Sequence, residues 1–284
     1  TQKNIVESIE IMAEQVRRGN FIPTGFETEF GDESIKPISY TLKNGKDIKL
    51  VGKIDRIDVF KGENSDFLRI IDYKSSKRDI DLNQVYAGLQ LQLFVYMNAI
   101  LSSNKDRYKP AGLFYSDFTT NLVGFETYSK MLDMNDDSFY SEKLKRNKLT
   151  GFVIKDMELL KNLDKTLEEN RLTSEILPIK LKSKGQEIGA GTLGLTTDEF
   201  EIVNEFVLNK TKDICEEIYD GNIEIKPFRY KDKKPCDYCK YKSICRFDVK
   251  HNKYNNIKNL VTKDKPNEVF EKMELKNKEK RGEK

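Results

Sequence analysis

The sequence predicts an α/β fold in which a mixed sheet is flanked by helices, and three observations predict it. Short runs rich in β-branched and aromatic residues recur between polar turns, at 38–42, 48–60, 68–75 and 111–118. A long helical run, 81–102, separates the last two, so a helix with strands before and after it packs across a sheet face. Within the run at 68–75, Asp72 and Lys74 stand two residues apart. Residues i and i+2 of a strand point to one face, which would present a carboxylate and an ammonium together.

The elements follow in order. Residues 2–18 read as an amphipathic helix, with Ile5, Ile9, Met12 and Val16 close to helical spacing. The stretch 20–23 breaks it, and 26–30 alternates apolar and acidic residues as a half-exposed strand does. Asn44-Gly45 is a hairpin turn signal between the strands at 38–42 and 48–60. After 111–118, the stretch 119–195 is less regular. It holds a basic run at 143–148, a candidate strand at 176–181 and a Gly-rich loop at 184–195. No Gly-Lys-Ser/Thr closes that loop, so it is not a Walker A loop. Thr196-Thr197-Asp198 caps a helix running to about Tyr219, and a Lys/Asn-rich tail follows Arg246.

Composition bounds the function classes. The chain has 284 residues, 37% hydrophobic and 34% charged, with a net charge of +3. It is therefore not a strong polycation, and a nucleic-acid surface would have to come from local clustering. No run of 18 apolar residues suggests a membrane span, and the first residues do not read as a signal peptide. Without an initiating Met, the chain is expected to be a piece of something longer.

The chemistry-bearing residues lie close together in sequence. Asp55 ends the run Leu50-Val51-Gly52-Lys53-Ile54 and could bring a second carboxylate beside Asp72 from a neighbouring strand. Two carboxylates can hold a hard divalent cation such as Mg²⁺, and a lysine beside them can orient or deprotonate a water. That is the chemistry of metal-assisted phosphodiester hydrolysis. The bland alternative is a solvated D-x-K at a strand end, which is common. Against it stands the helix that follows, which carries Gln92 and Tyr96 at i and i+4 on one face. Leu89, Leu93 and Tyr96 share that side, so Gln92 should edge the core near the polar end of the strand.

Three of the four cysteines are bunched as Cys236, Cys239 and Cys245. Such bunching reads as zinc or iron–sulfur ligation before disulfide. Either metal group takes four protein ligands. Cys215 lies mid-helix and reads as a core residue rather than the fourth ligand, and His251 is a lone tail histidine. The fourth ligand is expected outside this chain.

These residues in this order resemble a known family. The stretch Pro23-Thr24-Gly25-Phe26-Glu27 comes first, then Gly52-Lys53-Ile54-Asp55-Arg56-Ile57-Asp58 and Ile71-Asp72-Tyr73-Lys74-Ser75-Ser76. They are followed by Val85-Tyr86-Ala87-Gly88-Leu89-Gln90-Leu91-Gln92, Pro110-Ala111-Gly112-Leu113-Phe114-Tyr115 and the cysteine run from Pro235 to Asp248. The set is similar to the C-terminal nuclease domains of the B subunits of bacterial ATP-dependent helicase/deoxyribonucleases of the AddAB type, a RecB-like branch of the PD-(D/E)XK nucleases. The resemblance runs over nearly the whole chain. It implies a restriction-endonuclease-like core over 1–230 with an insertion around 119–195, followed by an iron–sulfur ligand segment and basic tail at 231–284. It further implies Asp55 and Asp72 as Mg²⁺ ligands, Lys74 as the catalytic lysine, and Gln92 and Tyr96 as the helix motif. Cys236, Cys239 and Cys245 would be three of the four ligands of a [4Fe–4S] cluster.

The activity implied is that of a Mg²⁺-dependent cytoplasmic exonuclease acting on single-stranded DNA, on the 5′-ended strand, during double-strand break repair. The DNA would be fed by the helicase-nuclease A subunit, and the basic run at 143–148 would guide its phosphates. A non-catalytic DNA- or partner-binding module with a nuclease-like fold is the competing class. A free-standing CRISPR-associated iron–sulfur nuclease is a third, but it would need a cysteine near its N-terminus, and residues 1–40 contain none.

Overall fold

The computed structural model describes residues 2–104, 107–117, 136–167, 171–183, 187–261 and 267–283. Parts of the predicted strand at 111–118, of the insertion at 119–195 and of the tail lie outside the described residues. The chain forms two compact units. The first comprises Thr1–Ser39, Lys49–Ile80 and Gln92–Glu201, and the second Tyr40–Ile48, Asp81–Leu91 and Ile202–Lys284.

The first unit is built on a mixed sheet. Its strands are β1 (Ile22–Phe30), β4 (Gly52–Lys61), β5 (Asp66–Lys74), β6 (Tyr108–Asp117), β7 (Thr150–Ile154) and β8 (Leu193–Leu195), in the order β1-β4-β5-β6-β7-β8. The pairs β1/β4, β4/β5 and β6/β7 are antiparallel, while β5/β6 and β7/β8 are parallel. The run at 48–60, expected as one strand, is two. β3 (Asp47–Leu50) pairs with β2 (Ile38–Thr41) in a local hairpin, and the chain then changes partners at the exposed Val51. Gly45 sits in the hairpin turn at φ 80°, where a side chain would be strained.

Alternation along the strands sorts side chains onto two faces. On one face, the register sets Ile70 of β5 beside Leu113 of β6, and Leu113 beside Phe152 of β7. Helix α3 (Gln92–Ser103) covers this face, burying Leu93, Phe94, Met97 and Ile100 and stacking Phe94 on Phe152 with ring centroids 5.6 Å apart. On the other face lie Arg56, Asp58, Arg69 and Tyr73. Helix α1 (Gln2–Arg17) meets it, where the Tyr73 hydroxyl donates to Met12 Sδ at 3.7 Å.

That second face holds a buried ionic cluster. Arg56 donates from Nε and a terminal nitrogen to the two oxygens of Asp58 at 2.7 and 2.8 Å. Arg69, directly opposite Asp58 in the β4/β5 register, donates from Nε at 2.8 Å. Asp58 and Arg69 are wholly buried, and neither terminal nitrogen of Arg69 finds a hydrogen-bond partner. The Phe21 ring lies 5.3 Å from the guanidinium carbon and supplies a cation–π contact instead.

The basic run at 143–148 is on α1's side of the sheet. It falls in and just after α4 (Asp136–Arg146), which follows α3 in the chain. Lys143 pairs with Glu10 and Glu7 of α1 at 3.3 and 3.8 Å, Arg146 pairs with Glu142, and Gln15 bonds the Asn147 carbonyl. Burial lowers the pKa of Lys148. Of the expected phosphate guide, Lys143 is committed to α1 and Arg146 to its own helix, while Lys145 is exposed. The candidate strand at 176–181 does not form either. Ile176, Leu177, Ile179 and Leu181 are all buried, but the chain turns there, with the Ser174 hydroxyl accepting from the Ile176 and Leu177 N–H groups. Short helix α5 (Met157–Leu163) follows β7 and is capped by Asp156.

The expected long helix at 81–102 is two. Short α2 (Leu82–Tyr86) is capped by Asp81, then Gly88 takes φ 85° and the Leu89 N–H closes back onto the Gln84 carbonyl. An apolar periodicity continues through such a break, which is why the sequence reads as one helix.

In the second unit, α6 (Thr197–Tyr219) runs on from the first. Thr196 and Glu199 form a reciprocal capping box at its start, at 3.1 and 2.8 Å. Tyr86 stacks on Phe206 of α6 at 5.3 Å, and Arg281 of α8 (Glu268–Arg281) pairs with Glu205. The cysteine segment contains α7 (Lys242–Cys245) and is flanked by a two-stranded pairing of β9 (Phe228–Arg229) with β10 (Asn255–Asn256). Both its ends are tied to α2. Tyr230 donates to Asp81 at 2.6 Å, while Asn83 bonds Asn259 and accepts the Leu260 N–H at 2.7 Å. Burial and the Asp81 charge push the Tyr230 hydroxyl up to about 12.

Candidate active site

The site lies in the first unit, on the α3 face of the sheet, at the C-terminal end of β5. Lys74 Nζ lies 2.6 Å from Asp72 Oδ2 and donates to Gln92 Oε1 at 3.0 Å. Gln92 Nε2 then reaches the Tyr96 hydroxyl at 2.7 Å. A continuous polar chain therefore runs Asp72–Lys74–Gln92–Tyr96. The spacing of two on β5 aims the first pair together, and the spacing of four on α3 aims the second. Asp55 joins through the backbone, its Oδ2 accepting the Tyr73 N–H at 2.8 Å. The β4/β5 register ends at Arg56 opposite Ile71, so Asp55 lies at the next position, beside Asp72.

Asp72 is 1% exposed, and burial raises its carboxyl pKa, opposed by Lys74 and reinforced by Asp55. Its Oδ2, sealed from solvent, accepts no directed hydrogen bond although Lys74 is at ion-pair distance. A buried carboxylate oxygen left in this state, with a second carboxylate beside it, fits a hard cation that binds through one or two carboxylates and keeps its waters. Among the described residues, no three His, Cys, Asp or Glu side chains converge into a metal-holding group.

Gln92 is exposed rather than edging the core, because the helix break makes it the first residue of α3 and its amide extends outward to Lys74. Several neighbours were not among the expected site residues. Tyr115 lies directly beside Asp72 across β5/β6, and its ring is 5.8 Å from Lys74 Nζ. Burial, then the Asp72 charge, push its hydroxyl up to about 12. Phe30 meets Tyr96 edge-on at 5.9 Å, and a Cβ at Gly52 would lie 2.8 Å from the Phe30 ring, so glycine there lets the ring lie flat. Burial also raises the pKa of the Tyr96 hydroxyl. Arg78, in the loop after β5, acts electrostatically on both Asp72 and Tyr115. Register with a long-range partner is what places these residues, and local spacing carries no trace of it.

The cysteine segment belongs to the second unit. Cys236 lies in a 3₁₀ turn, Pro235–Tyr238, Cys239 follows it, and Cys245 ends α7. The Tyr241 N–H donates to Cys239 Sγ at 3.4 Å. The Tyr254 hydroxyl pKa is raised by desolvation and by the neighbouring Cys236 thiol. All four cysteines are free thiols. Among the described residues, Cys236, Cys239 and Cys245 are not gathered into one metal-holding group. Cys215 is buried in α6, where burial raises its thiol pKa, as suits a core residue.

Comparison with known proteins gives the family. The chain is 39% identical over 263 residues to the B subunit of the ATP-dependent helicase/deoxyribonuclease of Caldanaerobacter subterraneus subsp. tengcongensis, covering 90% of this chain and 22% of that protein. The protein of the same name from Clostridioides difficile is 37% identical over 262 residues, with 90% and 22% covered. That from Thermoanaerobacter sp. is 40% identical over 259 residues, with 88% and 22% covered. The chain thus spans about a fifth of the length of these relatives. It also matches the PD-(D/E)XK nuclease superfamily over residues 2–246. With its mixed six-stranded sheet flanked by helices, the chain belongs to the PD-(D/E)XK nuclease superfamily.

Proposed function

We propose that this chain is the nuclease domain of a helicase-nuclease complex, a Mg²⁺-dependent deoxyribonuclease that hydrolyses single-stranded DNA exonucleolytically. Its relatives among helicase/deoxyribonucleases and its superfamily support the reading. The observation that carries it is the buried, hydrogen-bond-poor Asp72 carboxylate beside Asp55, with Lys74 held against it. Residues 1–230 carry the nuclease, and 231–284 the cysteine segment and tail. The partner is the A subunit of the complex, the strand trimmed is the 5′-ended one, and the compartment is the cytoplasm. Among the described residues, no helix is long and apolar enough to cross a membrane.

Asp55 and Asp72 are the cation's ligands. A cation there supplies Lewis-acid polarisation of a phosphate oxygen and acidifies an attacking water. Lys74 orients that water and offsets charge developing on the phosphate. Gln92 fixes the Lys74 ammonium and Tyr96 fixes Gln92, so the lysine is aimed before substrate arrives. Gln92→Leu is expected to lower the cleavage rate by at least about tenfold, equivalent to about 1.4 kcal/mol of transition-state stabilisation, with little change in melting temperature. Wild-type kinetics in that variant would remove Gln92 from the machinery.

The test of the activity is a cleavage assay on single-stranded DNA with Mg²⁺ or Mn²⁺, using the native complex. Metal-dependent loss of nucleotides that disappears in Asp72 and Lys74 variants is expected. DNA binding without cleavage would identify a non-catalytic module instead. Cys236, Cys239 and Cys245 are assigned to a [4Fe–4S] cluster completed by a ligand from elsewhere. This chain alone is then expected to hold little iron. Stoichiometric iron and sulfide in the anaerobically purified chain, lost on Cys215→Ser, would make Cys215 the fourth ligand.

A further inference from the structure

Resting on the nuclease reading above, we propose that Arg78 grips a backbone phosphate of the DNA strand entering the site. Three strands contribute one row of directly paired residues there: Asp72 of β5, Tyr115 of β6 and Thr150 of β7. The loop leaving β5 folds back over this row, because the Thr150 hydroxyl donates to the Arg78 carbonyl. Four residues after Lys74, the backbone of Arg78 is therefore pinned at the end of the row that begins with Asp72.

Arg78 is exposed, and among the described residues its charge is felt by Asp72 without a direct ion pair. The other arginines of the first unit's sheet are committed elsewhere. Arg56 and Arg69 are spent on Asp58, and Arg107 pairs with Asp66 at the opposite end of β5. Lys74 is occupied by Asp72 and Gln92. Arg78 is thus an anchored cation at the rim of a site that holds two carboxylates and one committed lysine. Two carboxylates repel a polyanion, and a planar guanidinium suited to bidentate phosphate contact offsets that repulsion.

The test measures kcat and KM of the native complex on a short single-stranded oligonucleotide at saturating Mg²⁺ over a series of salt concentrations. Arg78→Ala is expected to raise KM about tenfold with kcat changed less. It should also make the dependence of log kcat/KM on log salt shallower by about 0.7, the value of one single-strand phosphate contact. Arg78→Lys should recover part of the loss. Arg107→Ala removes the same charge far from the site and is expected to leave the slope unchanged. An Arg78→Ala enzyme with the wild-type salt slope and KM overturns the proposal. So does an Arg107→Ala enzyme that matches it, since the effect would then be one of net charge. A wild-type complex whose cleavage does not depend on Asp72 refutes the nuclease reading itself, which is a different result.

Discussion

Asp72→Ala is expected to lower DNA cleavage by at least about a thousandfold, the loss of roughly 4 kcal/mol of transition-state stabilisation. The fold is expected to survive. Asp72 contributes a buried charge rather than apolar packing, and its one ionic partner, Lys74, keeps Gln92 as an acceptor. Stability should respond in a particular direction. Burial raises the Asp72 pKa, so the carboxyl favours the folded state while protonated. That contribution is full below the ordinary carboxylate pKa and is lost as pH rises through the higher folded value. Near neutral pH, without metal, removing Asp72 is therefore expected to leave the melting temperature unchanged or raised, and this relative gain should fade on acidification. Thermal melts at several pH values, alongside cleavage rates in the native complex, check both halves. A variant that cleaves at the wild-type rate would end the assignment of Asp72 as a metal ligand.

Asp58→Ala is expected to behave in the opposite way, costing about 3–5 kcal/mol of stability. Asp58 is the anion shared by two buried guanidiniums, and Arg69 already has two nitrogens without hydrogen-bond partners. Losing the carboxylate strands two cations inside the sheet. Replacing all three residues with apolar side chains of similar volume should restore most of the loss, because no charge then remains to desolvate. Urea unfolding of the three proteins would show the pattern. An Asp58→Ala protein as stable as wild type would mean that solvent reaches the cluster.

The contrast between Asp72 and Asp58 shows where local pattern stops being informative. The two-residue spacing of Asp72 and Lys74 and the four-residue spacing of Gln92 and Tyr96 were legible, because strand and helix periodicities dictate which side chains share a face. Helical spacing announced α1, β-branched and aromatic runs announced β2, β5 and β6, and a capping signal announced α6. They failed where apolar rhythm continues through a change of backbone direction, as at Gly88 between α2 and α3, or where the apolar residues are buried without a strand, as Ile176, Leu177, Ile179 and Leu181 are. Arg56, Asp58 and Arg69 are charged residues on strands, yet they are interior. Only the β4/β5 register sets Asp58 against Arg69, and only the fold brings the Phe21 ring over the Arg69 guanidinium. Likewise Tyr115 reaches Asp72 through a parallel pairing of strands 43 residues apart, and Arg78 reaches the rim through the Thr150 hydroxyl. The sequence by itself determined the α/β class, the carboxylate–lysine pair and the glutamine–tyrosine helix that faces it, because each is encoded within a few residues. The tertiary structure alone decided which charges are buried, which lysines are already paired and which arginine is left at the rim, because desolvation and pairing depend on neighbours that chain-local spacing does not specify.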